Sequence, residues 1–285
     1  MSTVAVAGRT IVLLIVFTVI VTLFATTIGV FIGCSPWLML PIVVVLSLVF
    51  SLGSALFSDR VVMMMYGVRV VDRRDAPRLY DCIADVAQKA ELPMPRVGVM
   101  DSATPNAFAT GRGPSHALVC ATQGLLHTLD DRELRAVIAH EMAHVRNRDI
   151  LVMSIATALA SSMSWMAYML LFSRERGSFL LYIVGALFAG LAAALIKSAI
   201  SRTREFGADE TGARIVRDPL GLASALYKLE RGVGLRPYRG NRAGESMFIV
   251  NPFRGGGGIA GLFSTHPSTQ DRIDRLEAMA ARGDA

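Results

Sequence analysis

No charged side chain stands between Arg9 and Asp59, and this interval holds two apolar blocks, Ile11–Gly33 and Trp37–Phe57, parted only by Cys34, Ser35 and Pro36. At 1.5 Å of rise per residue, either block as a helix reaches across a hydrocarbon core of roughly 30 Å. A secretory signal would carry a shorter apolar region of about 7–15 residues ending at a cleavage site. Here the first block is longer and the second follows at once. The pair reads as an uncleaved, tight membrane hairpin, with Trp37 at the interface and Pro41 in the first turn of the second helix, where proline costs little.

Two further blocks, Leu151–Phe172 and Phe179–Ile200, flank the short polar turn Ser173–Ser178, and the last is rich in Gly and Ala, which suits close helix packing in lipid. A buried hairpin or re-entrant pair is the alternative for these two. Hydrophobic residues make up 53% of the chain and charged residues only 18%, against about a quarter charged in soluble domains.

Each hairpin returns the chain to its starting side. Residues 1–58 are then an N-terminal transmembrane hairpin, 59–150 the first part of a catalytic domain, 151–200 a second transmembrane hairpin and 201–285 the second part of that domain. Most Lys and Arg fall on the shared face. The expectation is a multi-pass plasma or inner membrane protein with both termini and the catalytic domain cytoplasmic. Arg174 and Arg176 on the far side are a small violation, partly offset by Glu175. The net charge of +6 comes from scattered basic residues such as Arg60, Arg69, Arg73, Arg74, Arg202 and Arg204 that flank hydrophobic blocks, which orients a membrane protein and argues against a nucleic-acid partner. Cys34, Cys82 and Cys120 are too few and too dispersed for a disulfide scaffold or a cysteine metal cluster.

In the polar parts, apolar positions at helical spacing predict an amphipathic helix over 76–92, with Pro77 in its first turn and Pro93 stopping it. Strand-like runs follow at Val97–Met100, Ala107–Thr110 and His116–Cys120, the last two joined by a Gly-rich turn as a hairpin. Asp130-x-x-Glu133 has the pattern of a capping box that opens a helix from Asp131 to about Arg146. Residues 233–261 read as a loop over the site or a plain surface loop, and 269–282 as a closing helix.

The helix after Asp130 carries His140-Glu141-Met142-Ala143-His144. Positions i and i+4 share a helix face, so both imidazoles can reach one metal ion, with Glu141 beside them to take a proton from water. A catalytic zinc takes three protein ligands and leaves a fourth position to solvent. Of the remaining histidines, His116 lies on a predicted strand and His127 near a helix end. The better third ligand is Glu205, one helical turn from Asp209. One of these carboxylates can bind the metal while the other accepts a hydrogen bond from a ligand histidine. The alternative is a solvated acidic face beside Arg202 and Arg204.

Four stretches, Pro105–Gly111, His140–His144, Ser201–Asp209 and Ser264–Pro267 followed by Arg272-Ile273, together with the order of the apolar blocks, resemble the HtpX-type membrane zinc metalloproteases, relatives of the CAAX prenyl proteases. The resemblance implies an α-helical membrane protein with a zincin-like α+β catalytic domain, four transmembrane helices and a small antiparallel sheet. It implies a gluzincin-type endopeptidase with one Zn2+ per chain, held by His140, His144 and Glu205. Glu141 is the implied general base and Asp209 the carboxylate behind a ligand. His266 is a candidate donor to the developing oxyanion, or a shaper of the loop before Pro267. Asn106 falls in the segment lining the substrate cleft. An extended substrate is expected to pair with an exposed strand edge, and His116, Ala117, Leu118 and Val119 are the candidates for it.

The implied role is quality control: cleavage of misfolded or damaged membrane proteins at the cytoplasmic face, with self-cleavage in the isolated protein and a link to stress response. Prenyl-peptide processing is a second enzymatic reading, disfavoured because four spans enclose little space. A membrane adaptor with a structural metal is a third, disfavoured because no fourth protein ligand is evident.

Overall fold

The structure, a computed structural model, describes residues 3–31, 35–171, 202–235, 248–250 and 267–284, together with positions 183, 187 and 190. Two long helices, α1 (Thr3–Phe31) and α2 (Pro36–Tyr66), form an antiparallel hairpin. Phe17 stacks on Phe50 at 5.9 Å, and Thr22 reaches Ser47 at 3.4 Å. The outer faces carry exposed apolar side chains, among them Ile11, Val12, Ile15 and Leu23 on α1 and Leu38, Val45, Val49 and Leu56 on α2. Counted over the described residues alone, no helix is long and apolar enough to cross a membrane. Over the whole segment, however, Thr10 to Ser58 carries no charge, and hydropathy belongs to the whole segment. The fourth apolar block, Phe179–Ile200, lies outside the described residues but for the three isolated positions.

α2 runs past the apolar block and ends at Gly67, whose φ of 59° supplies the left-handed turn that stops a helix. The chain then enters the sheet: β1 (Arg69–Val71), helix α3 (Pro77–Lys89), β2 (Arg96–Met100), β3 (Ala107–Gly111), a 3-10 turn (Pro114–His116) and β4 (Ala117–Thr122). The strand order is β1-β2-β4-β3. β1 with β2 and β3 with β4 are antiparallel, but β2 and β4 run parallel, Arg96 standing opposite Leu118. The expected small antiparallel sheet is therefore a mixed one. The reason lies in connectivity: β3, not β4, follows β2 in the chain, and β4 inserts between them.

Side chains alternate across this sheet as the two-residue period requires. Val97, Val99, Ala107, Ala109, Val119 and Ala121 pack on one face with α3 and the helices that follow. Leu118, Cys120, Phe108 and Met100 pack on the other with Val62 and Tyr66 of α2 and with Phe248. Both faces are covered, which accounts for strands apolar at nearly every position.

α4 (Gln123–Thr128) leads to α5 (Asp131–Arg146). The expected capping box is present: the Asp130 carboxylate accepts from the Glu133 N–H while Glu133 accepts from the Asp130 N–H. Glu133 also accepts from Ser224 and Lys228 of a later helix, at 2.6 and 2.7 Å, so the start of α5 is tied to the C-terminal half of the chain. α6 (Asp149–Leu171) follows at once; then come α7 (Arg202–Val216), α8 (Pro219–Leu235) and α9 (Thr269–Arg282). α7 crosses α5 at Gly212, where a β-carbon would sit 2.8 Å from the backbone nitrogen of His140. Only glycine permits this approach.

Candidate metal centre

α5 buries nearly its whole length from Glu133 to Val145, so His140, Glu141 and His144 project into the interior. The two imidazoles lie one turn apart, ring centres 4.8 Å from each other and planes at 89°. Glu205, in the first turn of α7, completes the group. One carboxylate oxygen is 3.9 Å from Nε2 of His140 and the other 3.6 Å from Nε2 of His144. All three donor atoms fall within 4.8 Å of one another. Zinc bonds of about 2.1 Å in a tetrahedron place ligand atoms roughly 3.4 Å apart, so the group needs only a small contraction around an ion.

The far side of each imidazole meets its own carboxylate. Nδ1 of His140 lies 2.9 Å from the Asp209 carboxylate. Nδ1 of His144 faces Asp149, the first residue of α6, at 3.4 Å. Both carboxylates favour the tautomer that leaves Nε2 open for a metal. They are held in turn: Arg272 of α9 grips both oxygens of Asp209 at 2.6 and 2.8 Å, and Arg204 approaches Asp149 at 3.7 Å. A third Arg272 nitrogen donates to the carbonyl of Ile249, whose N–H in turn donates to the Asn106 side chain.

Four carboxylates, Glu141, Asp149, Glu205 and Asp209, are each no more than 5% exposed. Against them stand two guanidiniums, Arg204 and Arg272. Among the described residues, carboxylates outnumber guanidiniums in this low-dielectric interior, where buried charge is costly. A divalent cation among His140, His144 and Glu205 removes that excess, and the residues fit one. Without it, protons substitute. Burial, reinforced by Glu205, pushes Glu141 up to about 8. Burial opposes charge on His144, but the Asp149 bond and the carboxylates of Glu205 and Glu141 outweigh it and lift the imidazole to about 9. His140 is drawn down, burial outweighing the Asp209 contact. Burial would raise Asp209, yet Arg272 holds it below the carboxylate range.

Glu141 also accepts a hydrogen bond from the backbone N–H of Ala109 on β3. Among the described residues, β3 is the terminal strand of the sheet on this side, whereas β4 lies between β2 and β3. The sequence expectation that 116–119 offers an exposed edge is thus corrected: Ala117, Leu118 and Val119 have both backbone sides paired, and His116 sits in the 3-10 turn ahead of the strand. The strand edge beside the centre is β3. Asn106, directly before it, is buried and bonded to Ile249 and Thr122. His266 lies outside the described residues. Asp149, Arg204 and Gly212 carry parts of the centre that the motifs did not assign. An acid five positions after His144, opening the next helix, was the available signal for Asp149.

Fold and site together define a metallopeptidase: residues 73–280 match the sequence profile of peptidase family M48, and the chain belongs to that family. Within it, the chain is similar to proteins described as Protease HtpX homolog. That of Thermococcus kodakarensis is 52% identical over 79% of this chain and 81% of its own length; that of Salinibacter ruber is 47% identical over 79% and 83%. Among solved structures, that of S. mikatae Ste24p covers 90% of this chain and 61% of its own, with TM-score 0.47 and 18% identity.

Proposed function

We propose that this chain is an integral membrane, zinc-dependent endopeptidase that cleaves misfolded or damaged membrane proteins at the cytoplasmic face. The observation that carries the zinc assignment is the convergence of three buried donors of the type zinc prefers, two imidazoles and one carboxylate. When bound, such an ion supplies Lewis acidity toward water and a scissile carbonyl. Glu141 is the general base: it lies next to the ligand His140 in sequence, and its carboxylate takes a proton from water and returns it to the leaving amine. The Ala109 N–H orients that carboxylate. Asp209 and Asp149 hold the imidazoles in register. An extended substrate adds as a strand beside β3 near Ala107–Ala109, which selects main chain more than side chains and so gives broad specificity. His266 is assigned the oxyanion by resemblance alone.

The membrane reading is supported by the uncharged run from Thr10 to Ser58 and by the outward apolar faces of α1 and α2. Exposed apolar surface of that extent is rare on soluble monomers. Location of substrates in the bilayer follows from this placement of the enzyme.

The test is casein hydrolysis by the purified protein in detergent, with and without zinc. Cleavage that needs zinc, is lost on chelation, and is absent from Glu141→Gln while zinc still binds supports the reading. Cleavage by Glu141→Gln refutes the base assignment.

A further inference from the structure

We infer that the cavity beside residues 56–60 of α2 is a binding site for the headgroup of an anionic phospholipid. The inference rests on the membrane reading of α1 and α2. The cavity, about 560 Å³, is lined by Leu56, Phe57, Arg60, Arg96, Arg112 and His116. It brings together the last turn of the uncharged block of α2, the start of β2 and the turn that precedes β4.

Two chemistries meet in it. Leu56 and Phe57 are 55% and 49% exposed although strongly apolar. They end the uncharged run, and Asp59 and Arg60 are the first charged residues after it. That change marks the depth at which a helix leaves hydrocarbon for headgroups. The guanidinium of Arg60 folds back over the Phe57 ring at 5.3 Å, which keeps it at that depth. Arg96 is tethered to the buried Asp59 at 3.1 Å. Among the described residues, neither Arg60 nor Arg112 contacts a carboxylate. Three guanidiniums against one carboxylate leave a surplus of two positive charges facing a cavity with an apolar wall.

A phosphodiester with acyl chains satisfies both halves. Arginine binds phosphate oxygens in a planar, two-pronged geometry, and the chains lie along Leu56 and Phe57. Basic pockets at the cytoplasmic boundary are suited to such headgroups. A soluble phosphate ester would leave the apolar wall wet, and an acidic peptide would have to enter at the membrane surface, so lipid is the better occupant. None of the residues lining the cavity belongs to the metal centre.

The experiment compares the full-length protein, Arg60→Gln/Arg112→Gln, and Arg69→Gln/Arg74→Gln, the last removing equal charge from the same side of the chain outside the cavity. Each is placed in nanodiscs of phosphatidylcholine with and without phosphatidylglycerol and extracted; the lipid that stays bound is then quantified. The wild type should retain phosphatidylglycerol over phosphatidylcholine. Arg60→Gln/Arg112→Gln should lose that preference on the order of tenfold, the scale of a charged hydrogen bond, while melting like wild type in phosphatidylcholine alone. Arg69→Gln/Arg74→Gln should keep it. Unchanged retention by the cavity variant overturns the site. Equal loss by the second variant reduces it to bulk surface charge. Displacement of the lipid by glycerol 3-phosphate or by an acidic peptide as readily as by short-chain phosphatidylglycerol assigns the cavity to another ligand. Failure of the wild type to enter nanodiscs overturns the membrane reading itself, an outcome distinct from the other three.

Discussion

Arg272 clasps Asp209 through both carboxylate oxygens, at 2.6 and 2.8 Å, in a place where neither side chain is more than 5% exposed. The last helix of the chain thereby reaches the metal centre through Asp209 and His140. Arg272→Ala leaves the Asp209 charge buried and unpaired, a loss of about 3–5 kcal/mol. The same change frees Asp209 to turn from His140, and zinc affinity should fall about 10–100-fold. Thermal unfolding and a chelator-competition titration measure the two effects. A variant with wild-type melting and wild-type affinity would remove Arg272 from the account.

Asp149 should act on His144 as Asp209 acts on His140. Asp149→Asn keeps the shape but not the charge, and zinc binding should weaken about 10–100-fold. Because Asp149 opens α6 and Arg204 lies in the first turn of α7, the pair also ties α7 to α6. Unaltered affinity in Asp149→Asn would show that its contact with His144, at 3.4 Å, is incidental.

Two glycines of α7 should respond in opposite ways to alanine. At Gly212 the new methyl would lie 2.8–2.9 Å from backbone atoms of His140, which cannot yield as a side chain could. Separation of α7 from α5 should cost about 1–3 kcal/mol and carry Glu205 away from the imidazoles. At Gly207 nothing lies within 4 Å among the described residues, and alanine should gain up to about 1 kcal/mol of helix propensity. Equal melting temperatures for Gly212→Ala and Gly207→Ala would contradict the close crossing.

These contrasts mark what could be read from sequence. α5 was legible, boundaries and all, because its capping box and its periodicity are local. Glu205 was legible because it stands one helical turn from Asp209, a spacing that lets one carboxylate hold a metal and the other a ligand imidazole. β4 was misread as an edge because alternation records which side chains are buried but not which strand lies alongside. The parallel β2–β4 pairing is made between segments separated by a whole strand. Three-residue β1 is too short to carry a period. Arg272 stood in a recognised motif without a role, since its partner lies 63 positions away. Gly212 is an ordinary helical glycine until the crossing with α5 is seen.

The metal-free centre should also respond to pH with a definite sign. His144 is lifted to about 9, so its protonation stabilises the folded metal-free form fully below the unfolded value near 6.5, and that stability is lost as pH rises through about 9. Glu141, lifted to about 8 mainly by burial, works in the same direction: the folded form favours its proton, and stability falls from the unfolded value near 4.3 up to about 8. A metal ion requires His144 without its proton, so affinity rises over the same window. The melting temperatures of zinc-loaded and chelated protein should therefore diverge between about pH 6.5 and 9. A gap that stays constant or narrows would contradict the assignment of these groups.

The central claim is that two stretches of chain, one on α5 and one on α7, share a single metal ion. Zinc titration of purified wild type and Glu205→Gln against a competing chelator tests it most directly. One tightly held ion per wild-type chain, and a loss of at least about tenfold in affinity for Glu205→Gln, is the result predicted. Equal affinity and stoichiometry in the two proteins would mean that the carboxylate of α7 does not hold the ion, and the centre described here would be wrong.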